Sequence, residues 1–342
     1  MRTTKSTSKI FAMMAAAGLM VGFSSCSNDD ETVDNNQPQA VCFSADIANQ
    51  ALPGGAPGTR AAGTDWAAGD AIGIFMVGNG TTTIAEGAEN KQYTTTGTSA
   101  FSPVSGDEIY YPTTGSVDFM AYYPWNTGYT LGTAIPVEIG TQTSQPAFDL
   151  LWAKATGVAG AGYDKNTTTV PLVFDHKLSK IVMNVTLGAG VSGTISDVTI
   201  KGMNTKNTFD LAAGTLGTAD TPANITPREV TANSEYDAII MPETYAAGVV
   251  TVDFTVAGAT YTWTLAAETF APGNEYTYAV TISKGGVSAT GTITPWTPND
   301  KGGVIAEETL SAAHETNRIV LTFLQKTGAA SALPVFYMNQ TE

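Results

Sequence analysis

The chain has 342 residues, of which 43% are hydrophobic and only 14% charged, and its net charge is −15. An acidic, charge-poor chain lacks the clustered Lys and Arg that nucleic acid or anionic lipid requires, which excludes both as partners held by charge. Two cysteines cannot build a disulfide framework, so the fold must rest on packing and backbone hydrogen bonds.

The N-terminus begins with Arg2, Lys5 and Lys9, followed by an apolar run from Ile10 to Phe23 that is short for a bilayer span. Ser24 and Ser25 lead into Cys26, and Asp29, Asp30 and Glu31 follow at once. This order predicts a lipoprotein signal peptide over residues 1–25, with cleavage before Cys26 and lipid on that cysteine. A plain signal cut near Ser25, or a buried N-terminal helix, is the alternative. Loss of the three basic residues in 1–25 leaves a net charge of −18. With Cys26 lipidated, Cys42 has no partner within the chain. Residues 26–40 are polar and acidic and read as a flexible tether.

Strand signals then follow in series. Val41, Phe43, Ala45 and Ile47 alternate with more polar neighbours, as in a half-buried strand. The stretch from Pro53 to Gly63 is too rich in Pro and Gly for any regular element. Ala71 to Val77 is apolar on both faces and predicts an inner strand. Ile109-Tyr110-Tyr111-Pro112 ends in a turn, Val117, Phe119, Ala121 and Tyr123 alternate, and Phe148 to Ala153 predicts a further strand. Gly157 to Asn166 is glycine-rich and unpatterned, which places a domain boundary there. Alternation returns in Ile181–Leu187, Val198 with Ile200, Val250–Val256, Tyr261–Leu265 and Tyr276–Ile282. No amphipathic helix pattern interrupts them before residue 300. The pattern predicts an all-β chain of two consecutive sandwiches, over 41–160 and 161–300, in preference to a barrel. In the tail, 301–342, the early part favours helix while Ile319, Leu321 and Phe323 favour a strand face, and both readings stay open.

Catalytic constellations are missing from the sequence. His176 and His314 have no metal-ligand spacing, and no Gly-Xaa-Ser-Xaa-Gly elbow or phosphate loop occurs. Asp175 stands next to His176 and is placed to orient its ring, but no nucleophile motif is near. The expectation is a non-enzymatic protein without metal or cofactor. Tyr122, Tyr123 and Trp125 form either a sugar-stacking platform or part of the core.

Several segments, taken together and in order, resemble the fimbrillin family, the pilin subunits of type V pili of Bacteroidota. They are Thr59-Arg60-Ala61, Thr64–Phe75 (Thr-Asp-Trp-Ala-Ala-Gly-Asp-Ala-Ile-Gly-Ile-Phe), Ile109–Pro112, Val117–Pro124, Asp149–Ala153, Phe174–Lys180 and Ile293–Trp296. The resemblance implies two tandem transthyretin-like β-sandwich domains and export as an outer-membrane lipoprotein. It also implies cleavage by an arginine-specific protease in the loop after the first strand, here between Arg60 and Ala61. That cut frees the strand bearing Val41, Phe43, Ala45 and Ile47, and a strand from another subunit fills the groove by β-augmentation. Ile319, Leu321 and Phe323 are the candidate donor face, with Leu333, Val335 and Tyr337 the second choice. The implied partners are other fimbrial subunits, the outer membrane before processing, and a host or bacterial surface ligand. A membrane-retained anchor subunit and a non-polymerising glycan-binding lipoprotein are the competing readings.

Overall fold

A computed structural model describes residues 38–48, 65–142, 144–295 and 304–306. Among these residues the only helical elements are two 3-10 turns, Gln145–Ala147 and Val158–Gly160. The first strands are β1 (Phe43–Ile47), β2 (Ala68–Gly78), β3 (Lys91–Thr96), β4 (Ala100–Pro103), β5 (Val117–Tyr123), β6 (Ile135–Glu138), β7 (Leu151–Ala155) and β8 (Val170–His176). Next come β9 (Ser179–Leu187), β10 (Ile195–Lys201), β11 (Asn204–Asp210), β12 (Thr215–Leu216), β13 (Asp220–Pro222), β14 (Arg228–Thr231) and β15 (Glu235–Ile240). The remainder are β16 (Thr244–Tyr245), β17 (Thr251–Val256), β18 (Ala259–Thr264), β19 (Glu268–Thr269), β20 (Asn274–Ser283), β21 (Gly286–Pro295) and β22 (Val304–Ala306).

The all-β expectation holds. In the first half, however, the strands close into a barrel in the order β1-β4-β3-β2-β5-β7-β8, where the sequence pattern predicts an open sandwich. The reason is β1, which pairs antiparallel with β4 and parallel with β8 and so joins what would otherwise be two edges. Closure removes the unpaired backbone groups that an open sheet must protect. The second half stacks several sheets. A six-stranded sheet runs β14-β15-β9-β20-β21-β22, and a three-stranded one runs β10-β17-β18. Strand β11 pairs with β12, β13 and β6.

Composition places the boundary at Gly157–Asn166, but that segment links β7 to β8 inside the barrel. Gly157 has φ +67°, and a Cβ there would sit 2.2 Å from the Gly162 carbonyl oxygen. The glycines therefore serve a tight turn that returns the chain to the same sheet. The sheets divide after His176, and β6 crosses over from the first half to pair with β11.

Two apolar cores follow from strand alternation. Ile72, Ile74 and Met76 of β2 face the barrel interior with Phe119, Ala121 and Tyr123 of β5. Phe75 and Val77, with Met120 and Tyr122, face outward into the core shared with the second half. This is why Ala71–Val77 within β2 is apolar at every position: both faces of that stretch are covered. Phe148 lies before β7, not in it: it caps the C-terminal end of the Gln145–Ala147 turn, and the strand begins only at Leu151.

Gly73 makes room for this junction. Its ideal Cβ would lie 2.2 Å from Tyr122 Cε1 and 2.7 Å from Asn90 Oδ1. We expect Gly73→Ala to lower stability by at least about 1–3 kcal/mol, the cost of overpacking a filled core. Urea unfolding followed by tryptophan fluorescence measures the loss.

Candidate assembly groove and neighbouring clefts

Strand β1 is the keystone of the barrel. Val41, Phe43, Ala45 and Ile47 are each at most 4% exposed, while Asp46 between them is exposed. The ladder to β8 runs in register from Phe43 against Val170 to Ile47 against Phe174. Beyond the strand ends, the Val170 N–H donates to the Cys42 carbonyl at 2.8 Å and the Ala48 N–H to the Phe174 carbonyl at 2.7 Å. The Trp66 indole N–H donates to the Ala45 carbonyl at 2.7 Å, in a buried setting. Phe43 meets Tyr93 and Phe119 edge-on, with ring centroids 5.1 Å apart in both pairs. Burial pushes the Tyr93 phenol well above its ordinary pKa, so the hydroxyl stays neutral and receives the Ile109 N–H at 3.1 Å.

Burial of Val41, Phe43 and Ile47 contributes about 1.5–3 kcal/mol each. Their sum, about 5–9 kcal/mol, is comparable with the whole stability of a typical domain. The barrel therefore needs this strand or an equivalent one in its place. Without it, β4 and β8 become open edges flanking an apolar groove.

Several expected site residues lie outside the described residues: Cys26, Arg60, Ala61, the donor candidates Ile319, Leu321 and Phe323, the second-choice Leu333, Val335 and Tyr337, and His314. Cys42 is disulfide-bonded, not the unpartnered thiol that lipidation of Cys26 implies. Among the described residues Arg228 is the one arginine. Its guanidinium donates twice to Asp237, from Nε at 2.9 Å and from the terminal nitrogen at 2.7 Å. At the start of the tail, where helix and strand were both open, Val304–Ala306 is a strand paired with Val287–Ala289 of β21.

His176 is a core residue. Its Nδ1 lies 2.8 Å from Asp149 Oδ1, and both side chains are almost wholly buried. Asp175 does not orient the ring, because strand alternation turns it to the opposite, solvent-facing side of β8. Instead it approaches Lys177 at 4.0 Å. No cluster that could hold a metal ion occurs among the described residues.

Two clefts stand out. The larger, about 740 Å³, is bounded by Ala48 just after β1 and by Asp175, Lys177, Asn207, Glu243 and Asn274. Burial lowers the Lys177 pKa, with Asp175 acting in the other direction. The Lys177 ammonium lies 4.8 Å from the centre of the Trp152 ring. The second cleft, about 350 Å³, opens beside the 124–129 loop and is lined by Trp125, Asn126, Tyr129, Val137, Glu138 and Phe148, among others. Of the three aromatics considered as a platform, Tyr122 and Tyr123 are buried, and only Trp125 reaches a surface opening. Sequence alternation already marked Tyr123 as inward. Nothing in the sequence marked Tyr129 or Phe148 as cleft residues, since the loop and the turn that carry them are irregular.

Comparison with known proteins agrees with this architecture. The family model described as "Fimbrillin-like" matches residues 59–296. A candidate fimbrium subunit of Bacteroides uniformis, Fim1C, is 33% identical over 312 residues, covering 85% of this chain and 97% of that protein. A crystal structure from the same species, titled as a candidate cell adhesion protein, superposes with a TM-score of 0.62 at 27% identity, covering 75% of this chain and 98% of the other. A further such structure, from Bacteroides ovatus, has a TM-score of 0.58 at 21% identity over 80% of this chain and 99% of the other, and shares the fold. By the extent of the family match and the identity to Fim1C, the chain belongs to the fimbrillin-like family.

Proposed function

We propose that this chain is a fimbrial subunit of the cell surface. It is exported as a lipoprotein through Cys26, activated by cleavage after Arg60, and polymerised by strand exchange. One observation carries this reading. The strand that closes the barrel lies N-terminal to Arg60, so a single cut separates the keystone from the body it completes. Two further observations support it. The family match begins at Thr59, one residue before Arg60, and leaves β1 outside. Arg228, held by a two-point ion pair within a strand, is a poor protease substrate.

The groove left by β1 presents the edges of β4 and β8 to a strand of another copy or another subunit. Main-chain hydrogen bonds set the register, and alternate side chains replace Val41, Phe43 and Ile47. The contact is head-to-tail and does not close on itself, so it extends into a filament. The donor is assigned to the tail, with Ile319, Leu321 and Phe323 as the inserting face. The subunit works by structure and adhesion, without a chemical step.

Mass spectrometry of the protein recovered from the cell surface tests the scheme. The expected product starts at Ala61 and carries no lipid. Arg60→Ala is expected to retain the N-terminal segment and to remain monomeric by size-exclusion chromatography. A lipidated start at Cys26 in all surface material would instead identify a membrane-retained anchor subunit.

The strand's grip is measurable separately. Phe43→Ala is expected to lower the stability of the uncut chain by about 3–5 kcal/mol, as for other large core truncations. Chemical denaturation reads this directly. A loss below about 1 kcal/mol would mean that β1 does not hold the barrel shut.

A further inference from the structure

We infer that the aromatic cleft beside the 124–129 loop is a binding site for a neutral sugar ring. It is lined by Trp125, Tyr129 and Phe148, all half-buried and facing a common space, with Asn126 and Glu138 at the exposed rim. Its volume of about 350 Å³ falls within the range of small-ligand sites, about 300–1,000 Å³. A pyranose has apolar C–H faces and a polar hydroxyl edge. Flat rings flanked by an amide and a carboxylate complement both. None of the residues lining the cleft is Lys or Arg, and the Lys206 ammonium beyond its rim is paired with Glu138 at 3.0 Å, which disfavours an anionic ligand.

The cleft is built in advance. The Trp125 N–H donates to the Ala71 carbonyl at 2.9 Å, and its indole N–H approaches the Asn90 carbonyl at 3.4 Å. Tyr122 anchors the loop from below. Its hydroxyl lies 2.7 Å from Asn90 Oδ1 and 2.9 Å from the Asn126 carbonyl, and it accepts the Asn126 N–H at 3.1 Å. The Tyr129 ring leans on that of Tyr122 at 5.5 Å. A ligand entering this cleft does not have to order the loop that holds it, which removes one cost of binding.

Position separates this cleft from the larger one. The larger cleft has Ala48 in its wall and so loses part of it when residues 1–60 leave. The aromatic cleft has no residue from the N-terminal segment and none from the barrel interior. It would therefore persist in every subunit of a filament, and many weak sites on one fibre would add by multivalency. Only that last step rests on the fimbrial reading.

The test uses the uncut monomeric chain, so its outcome is independent of processing. Methyl glycosides of mannose, galactose, glucose and fucose, together with N-acetylglucosamine, are titrated while the tryptophan indole N–H signals are followed by NMR. Trp125→Phe assigns the Trp125 signal. At least one neutral sugar is expected to move that signal and spare those of Trp66 and Trp263, with binding, followed on the sugar's own signals by saturation-transfer NMR in every variant, weakened at least tenfold in Trp125→Ala. Tyr129→Ala, expected to weaken binding severalfold, serves if Trp125→Ala does not fold. The inference is overturned if no neutral sugar moves the Trp125 signal, or if binding survives both alanine substitutions unchanged. It is equally overturned if only N-acetylneuraminic acid or a proline-rich peptide binds there.

Discussion

One strand carries the barrel. β1 is five residues long, yet it supplies the bond between two sheet edges and places Phe43 and Ile47 in the middle of the interior. Its pairing is unequal: five register positions with β8 but only two with β4. The parallel ladder and the buried side chains therefore do most of the holding, and the β4 side is the weaker seam. A strand held mainly by side-chain insertion along one ladder can be replaced by another strand of similar pattern, because neither kind of contact depends on chain continuity. The strand that closes the barrel is thus separated from the body, along the sequence, by the Pro- and Gly-rich stretch that carries Arg60.

The second constraint is the use of one strand pair by two cores. β2 and β5 send alternate residues into the barrel and into the core shared with the second half. An opened barrel would keep that outer face, since Phe75, Met120 and Tyr122 pack against elements that β1 does not touch. The same junction fixes the 124–129 loop, since the Tyr122 hydroxyl holds both Asn90 and Asn126. Gly73 belongs to this arrangement as well, because any side chain there would displace the Tyr122 ring.

Much of this was legible in the residues. The period-2 alternation of Val41–Ile47, Val117–Tyr123 and Tyr276–Ile282 marks strands; in the first and last the inward set is the buried set, while in Val117–Tyr123 the other face is buried too, against the second half. The continuous apolar run of Ala71–Val77 marks a strand buried on both faces. The ordered segments from Thr59 to Trp296 mark the family. Gly157–Asn166 misled as a boundary because glycine signals a turn without saying whether the turn joins two domains or two neighbouring strands. Asp175 misled as the partner of His176 because adjacency along a strand places two side chains on opposite faces, whereas Asp149 approaches through space.

The sequence by itself determined the class of structure, the strands, which face of each is apolar, and the family. These depend on local periodicity and on residue order, both of which a linear string contains. Tertiary structure alone decided that the first half closes into a barrel, that β1 is the element closing it, and that Trp125, Tyr129 and Phe148 share a cleft. The first two are meetings of segments far apart in sequence, and the third depends on an irregular loop and turn that carry no periodic pattern. Pairing between β1 and β8 spans more than a hundred residues, and no local pattern encodes which edge a strand will find. That choice is made by the fit of whole faces and by the gain from leaving no backbone edge unpaired.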